Sequence, residues 1–120
     1  MLVDIFGDYP QVRVLDFLIE NRDYDYSLSD IARGSKVARP TLYEMVDGLL
    51  EVGMIEETRK SGNARMFRLS KKNPVVKSLT KFDLELSKKL VKKELERQDV
   101  EEEQTSSQRE SNAKGEKGKT

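Results

Sequence analysis

Apolar residues recur at helical spacing between positions 10 and 21. Val12, Leu15, Leu18 and Ile19 form one stripe, and Arg13, Asp16 and Glu20 fall on the opposite face. Pro10 is placed to open this helix and Asp8 to cap it. Asn21 through Tyr26 read as a turn into a short extended piece. A second, short helix follows over Ser29-Asp30-Ile31-Ala32-Arg33, with Ser29 as candidate cap and Gly34 and Ser35 at its end. Pro40 restarts a third helix whose buried stripe is Leu42, Val46, Leu49 and Leu50, and Gly53 stops it at the position after the C-cap. Ile55–Arg59 and Arg65–Ser70 are strand candidates joined by the turn formers Lys60-Ser61-Gly62-Asn63-Ala64. Beyond Lys71-Lys72-Asn73-Pro74 the pattern is helical again, with Pro74 suited to the first turn.

The order is therefore helix, short strand, helix, tight turn, helix, hairpin, long helix. Two helices joined by a turn of three or four residues and followed by a hairpin predict a mainly α protein with a small β-hairpin (α+β). The architecture is a winged helix-turn-helix with a long C-terminal helix. The expected organisation is a winged-helix domain over 1–72, a C-terminal helix over 73–98 and a charged tail over 99–120. From Asp99 onward Val100 is the only large aliphatic residue, too little apolar surface to offset ordering entropy, so the tail is predicted to be disordered.

Composition narrows the chemistry. Cysteine and histidine are both absent, which excludes disulfides, thiol nucleophiles, histidine-based triads and His- or Cys-ligated zinc. Paired carboxylates such as Asp16 with Glu20, or Glu56 with Glu57, read as solvated faces; neither a catalytic site, a metal nor a cofactor is expected. No apolar run is long enough to span a membrane, and Met1-Leu2-Val3-Asp4 lacks a signal-peptide pattern, so a cytoplasmic chain is expected. Its 22 basic and 22 acidic residues cancel overall but not locally: residues 71–93 carry 8 basic and 2 acidic side chains.

The stretch from Leu28 to Leu69 carries the most information. It contains Asp30-Ile31-Ala32, Val37 in the turn, Arg39-Pro40-Thr41-Leu42-Tyr43 opening the third helix, Leu49 to Ile55, and a basic hairpin from Arg59 to Arg68. In these residues the chain resembles the winged helix-turn-helix transcriptional regulators, particularly the small archaeal-type ones with MarR-like or TrmB-like DNA-binding domains. The resemblance implies that the third helix enters the major groove of double-stranded DNA. Arg39 then reads guanine, Thr41 reaches phosphate or a thymine methyl, Tyr43 reaches phosphate, and Glu44 faces a cytosine amino group. Lys36 and Pro40 flank that helix start, and Arg59, Lys60, Asn63 and Arg65 on the hairpin contact phosphate or the minor groove. Each has a plainer reading as well: Arg39 as a solvated arginine, Tyr43 packed on a strand, Glu44 paired with an arginine, the hairpin bases masked by Glu56 and Glu57. Two positions depart from the family pattern. Lys36 stands where glycine is common, with the glycine displaced to Gly34, and Ala38 stands where a serine cap is usual.

Leu79, Phe82, Leu86 and Leu90 recur at +3, +4 and +4 along the last helix. This stripe fits packing on the first helix, and equally pairing with a second copy. Leu84, Val91 and Leu95 add a second apolar edge, which favours a homodimer. The expectation is a sequence-specific DNA-binding transcription regulator, a repressor acting as a dimer on an inverted-repeat operator. The alternative is a winged-helix protein–protein interaction module of transcription or replication machinery.

Overall fold

The computed structural model describes residues 1–111, with side chains described through residue 98. The elements are α1 (Leu2–Phe6), α2 (Pro10–Glu20), β1 (Tyr26–Ser27), α3 (Leu28–Ser35), α4 (Arg39–Glu51), β2 (Ile55–Ser61), β3 (Ala64–Leu69) and α5 (Pro74–Ser111). Two compact units divide the chain, Met1–Leu86 and a second beginning at Ser87 within α5. The described residues are mostly helical, with a three-stranded antiparallel sheet in the order β1-β3-β2.

The core of the first unit gathers the stripes of every element. Val14, Leu18 and Ile19 of α2 meet Ile31 and Ala32 of α3, Val37 of the turn, Leu42 and Val46 of α4, Ile55, Phe67 and Leu69 of the sheet, and Val76 of α5. Burying each large side chain stabilises the fold by about 1.5–3 kcal/mol before entropy is counted. Val12 and Leu15, expected on the buried stripe of α2, pack only at its margin, and Val14 takes the centre.

Several helix ends differ from expectation. Helix α1 has no counterpart in the sequence reading. It is five residues long, and its first-turn backbone N–H groups are satisfied from outside it: the Asp16 carboxylate accepts from Leu2 N (2.8 Å) and Val3 N (3.0 Å). Asp16 is thus a cap for a neighbouring helix and not merely a solvated charge. Asp8 does not cap α2; its carboxylate accepts from Arg13 Nη1 at 2.8 Å. Ser27, not Ser29, caps α3, in a reciprocal box with Asp30: the Ser27 hydroxyl accepts from Asp30 N, and the Asp30 carboxylate accepts from Ser27 N. At the end of α4 the expected role of Gly53 holds. With φ at 74° it lets Met54 N return to Leu49 O (2.8 Å) and its own N–H to Leu50 O (3.0 Å), a Schellman closure.

The hairpin is tighter than its sequence suggested. Lys60 and Ser61 belong to β2 and Ala64 to β3, leaving the two-residue turn Gly62-Asn63 with Gly62 at φ 63°. Register runs from Ile55 opposite Leu69 to Ser61 opposite Ala64, broken by a bulge between Glu57 and Arg59. Asn73 then links two elements. Its carbonyl oxygen accepts from Val75 N (2.8 Å) at the start of α5, and its amide donates to Val52 O (3.0 Å) at the end of α4.

Leu79 packs against the core of its own chain, and Phe82 stacks on Phe6 of α1 with ring centroids 6.0 Å apart while staying 45% exposed. In the second unit the α5 backbone stays helical past residue 98, where the tail was expected to begin, through Ser111. The Glu- and Gln-rich sequence there has good intrinsic helix propensity, a signal that its low apolar content obscured. The rest of the expected tail, residues 112–120, lies outside the described residues.

Candidate nucleic-acid interface

The turn between α3 and α4 is held from three directions. Lys36 adopts the left-handed conformation (φ 59°, ψ 47°), which costs a non-glycine residue about 1–2 kcal/mol. Its neighbours repay that strain. Val37 is buried in the core and its N–H donates to Ala32 O at 2.9 Å, and the buried Ser35 hydroxyl donates to Ile31 O at 2.6 Å. From α2, the Arg13 guanidinium donates through Nε to Ser35 O and through Nη2 to Lys36 O, each at 3.1 Å. A cation on the last carbonyls of a helix complements its dipole as well as its unpaired acceptors. Arg13, which helical periodicity assigns to the solvent face, therefore positions the turn.

Gly34 explains the displaced glycine. It lies inside α3 with no unusual backbone, but a Cβ built there would stand 2.2 Å from Cε1 of Phe17. Phe17 packs edge-on against Tyr26, with centroids 5.1 Å apart. The glycine is needed for the approach of α3 to that aromatic pair, and Lys36 takes the left-handed position where the family pattern has glycine.

Helix α4 starts at Arg39 behind Ala38, which offers no side-chain cap. Its first turn and the residues just after it present Arg39, Pro40, Tyr43 and Glu44 to solvent, with Thr41 half-buried between them and Lys36 exposed one turn of chain earlier. These six expected contacts are thus contiguous on the turn and the helix start. Val46 and Leu42 face the opposite way, into the core.

The hairpin is different, because carboxylates engage its arginines. Arg59 donates through Nε to Asp25 Oδ2 (2.9 Å), and Thr58, the residue in the bulge, donates its hydroxyl to the same oxygen. Those bonds, Arg59 first and Thr58 second, hold the Asp25 carboxyl down to about 2. Arg65 donates through Nε and Nη2 to Glu57 Oε1 (3.0 and 2.9 Å) and lies over the Phe67 ring at 5.1 Å, and its hydrogen bonds likewise lower the Glu57 carboxyl. Arg68 pairs with Glu56 at 3.1 Å. Lys60 and Arg65 sit directly opposite each other and share a face of the ribbon, whereas Arg59, opposite Met66, points to the other. The four hairpin residues therefore do not gather on one face. Lys60 and Asn63 are exposed at the tip, where the Lys60 charge also helps to lower the Glu57 carboxyl.

Arg13 and Asp25 shape the site from outside the Leu28–Leu69 stretch and are not among the expected site residues, and Gly34, expected to end the second helix, instead serves its approach to Phe17. The Gly inside α3 was the one readable signal. Among the described residues no group of three or more His, Cys, Asp or Glu is placed to hold a metal ion, and no helix is long and apolar enough to cross a membrane.

Fold and site together define a winged helix-turn-helix protein with a long C-terminal helix. No protein-family model matches the chain, and no curated protein matches it in sequence. Among solved structures it is similar to MepR, a transcription regulator of the Staphylococcus aureus multidrug efflux pump MepA. The TM-score is 0.57 and the identity 18%, over 86% of this chain and 78% of that one. A point mutant of MepR bound to an oligodeoxyribonucleotide matches at TM-score 0.54 and 18% identity, over 88% and 80%. Similar too is Lactococcus lactis ZitR, as a double mutant in apo form, at TM-score 0.55 and 19% identity over 91% and 88%. The adhesin competence repressor AdcR of Streptococcus pyogenes matches at TM-score 0.54 and 11% identity, over 71% of this chain and 65% of its own length. At these identities the likeness is one of fold: the chain has the winged helix-turn-helix fold of bacterial transcription regulators.

Proposed function

We propose that this chain is a sequence-specific double-stranded-DNA-binding transcription regulator that acts as a homodimer and represses by occupying an inverted-repeat operator. The observation that carries this reading is the clamped turn. Arg13, Ser35 and Val37 hold Lys36 in a strained conformation, and the beneficiary is a helix start that exposes Arg39, Tyr43 and Glu44 together. A helix used only for core packing has no need of that exposed polar turn. The fold likeness to a regulator bound to an oligodeoxyribonucleotide supports DNA as the partner.

Pairing supplies what a single winged helix lacks, since one module reads too few base pairs to stand out against a genome. The seam we assign is Leu79, Phe82, Leu86 and Leu90, with Leu79 contributing mainly to its own core. Phe6 and Phe82 in the first unit, and Val91 and Leu95 in the second, leave apolar surface for a second copy. Selection of bound sequences from a random duplex library, with sedimentation of the same preparation, tests the reading. A dimer that enriches an inverted repeat supports it; a chain that enriches no sequence returns the fold to the protein–protein alternative. That alternative draws on one observation, the neutralisation of the three hairpin arginines by Asp25, Glu57 and Glu56.

A further inference from the structure

Helix α4 carries one basic and three acidic side chains, and they are segregated along it. Arg39 opens the helix, Glu44 follows in the second turn, and Asp47 and Glu51 occupy the second half. All four are exposed. Asp47 and Glu51 stand one turn apart, where like charges repel, and Glu51 is the last residue of the helix, where the dipole favours a cation. Asp25, Glu56 and Glu57 each hold an arginine, but Asp47 and Glu51 pair with no cation among the described residues. Gly48, between them, weakens the helix again, although no positive φ requires it and a Cβ built there would meet nothing within 4 Å. Three neighbouring choices thus weaken the outward face of this half of α4, and no contact within the chain repays them.

A helix rises about 1.5 Å per residue and the major groove is about 8.5 Å deep, so a helix entering end-on seats roughly its first six residues. In α4 those are Arg39 to Glu44, which include every position of the helix expected to contact DNA. Asp47 follows about 12 Å behind Arg39 and Glu51 about 18 Å behind, at or beyond the phosphate rim. Were the helix laid lengthwise in the groove, both carboxylates would lie between the two rows of phosphates. Attraction to phosphates supplies essentially all of a protein's affinity for DNA of the wrong sequence. Carboxylates set against the phosphates therefore act mainly on that mode, as a repulsive element that disfavours the wrong partner.

Resting on the DNA-reading function proposed above, we infer that Asp47 and Glu51 determine specificity by repulsion. They bar the lengthwise pose, hold the second half of α4 off the phosphate backbone, and so weaken binding to duplexes that lack the target sequence. Anisotropy titrations of the full chain compare wild type, D47N/E51Q and G48A on a duplex selected by the wild type and on a scrambled one, with melting temperatures measured alongside. The double variant should bind the scrambled duplex about tenfold more tightly at about 50 mM salt, with a smaller gain at about 200 mM. On the selected duplex it should stay within about twofold of wild type, because the end-on pose already keeps both side chains away from the groove floor. Its melting temperature should be no lower than that of wild type, since a repulsion is removed. G48A is the control for helix stability: it should melt higher and bind both duplexes as the wild type does. The inference is overturned if the double variant tightens both duplexes equally, if it leaves the scrambled duplex unchanged, or if G48A produces the same change. A wild type that selects no duplex refutes the DNA-reading function and this inference with it. A selective wild type whose double variant behaves identically refutes this inference alone.

Discussion

Replacing Gly34 by Ala tests the packing that sets the helix-turn-helix angle. Ala improves helix propensity at an interior position by about 1 kcal/mol. Against that, the new Cβ would lie 2.2 Å from Cε1, 2.7 Å from Cδ1 and 2.8 Å from Cζ of Phe17, so the whole ring edge must retreat. Tyr26 stands against that ring, which makes retreat a repacking rather than a rotation of a free end. Overpacking of this kind costs about 1–3 kcal/mol. The net expectation is a loss of up to about 2 kcal/mol, and for a unit of this size each kcal/mol lowers the melting temperature by about 4–8 °C. Urea unfolding of four proteins measures it: wild type, G34A, F17A and the double variant. With the ring gone the collision vanishes, so G34A should become stabilising by about 1 kcal/mol in the F17A background. A change of sign between backgrounds is the signature. If G34A stabilises the wild type, or destabilises both backgrounds equally, Phe17 is not what requires the glycine.

Lys36→Gly should relieve the left-handed strain and raise stability by about 0.5–1 kcal/mol after the entropy of the extra glycine is counted, read by urea midpoint, while weakening DNA binding through the lost charge. Asp25 is held below its ordinary value in the fold, so its contribution is present above about pH 4 and is lost as pH falls toward 2; D25N should flatten acid unfolding in that window, followed by circular dichroism. Replacing Phe82 and Leu86 together by Asp should convert the proposed dimer to folded monomer in sedimentation, because neither side chain is among the buried core residues; a wild type that is already monomeric, or a variant that unfolds instead, would assign the stripe to the monomer.

The long stripes were legible because helical periodicity reports burial directly. Leu18, Ile19, Leu42 and Val46 lie in the core, and Ala32 and Val37 are buried where the two helices of the motif cross. What escaped depends on partners distant in sequence. Helix α1 is too short to show a period and takes its cap from Asp16 on the next helix. Arg13 sits on the polar face of α2 by spacing, yet its side chain is long enough to reach the turn carbonyls. Masking of the hairpin bases by Glu56 and Glu57 is legible in the sequence, but Asp25 as the partner of Arg59 is not, because it lies 34 residues away and meets Arg59 beside the bulge at Thr58. Ser27 was within reach, since Ser27 and Asp30 have the spacing of a capping box, but Ser29 stood closer to the apolar run.

In the proposed function the start of α4 reads base edges, and Arg39 is the residue on which that depends. Anisotropy titration of wild type and R39A against a selected duplex and a scrambled one measures its part. The expected loss is about 1–3 kcal/mol on the selected duplex, roughly 5- to 150-fold in Kd, with the scrambled duplex bound almost as before. An equal loss on both duplexes would make Arg39 a backbone contact, and no loss on either would remove α4 from the interface.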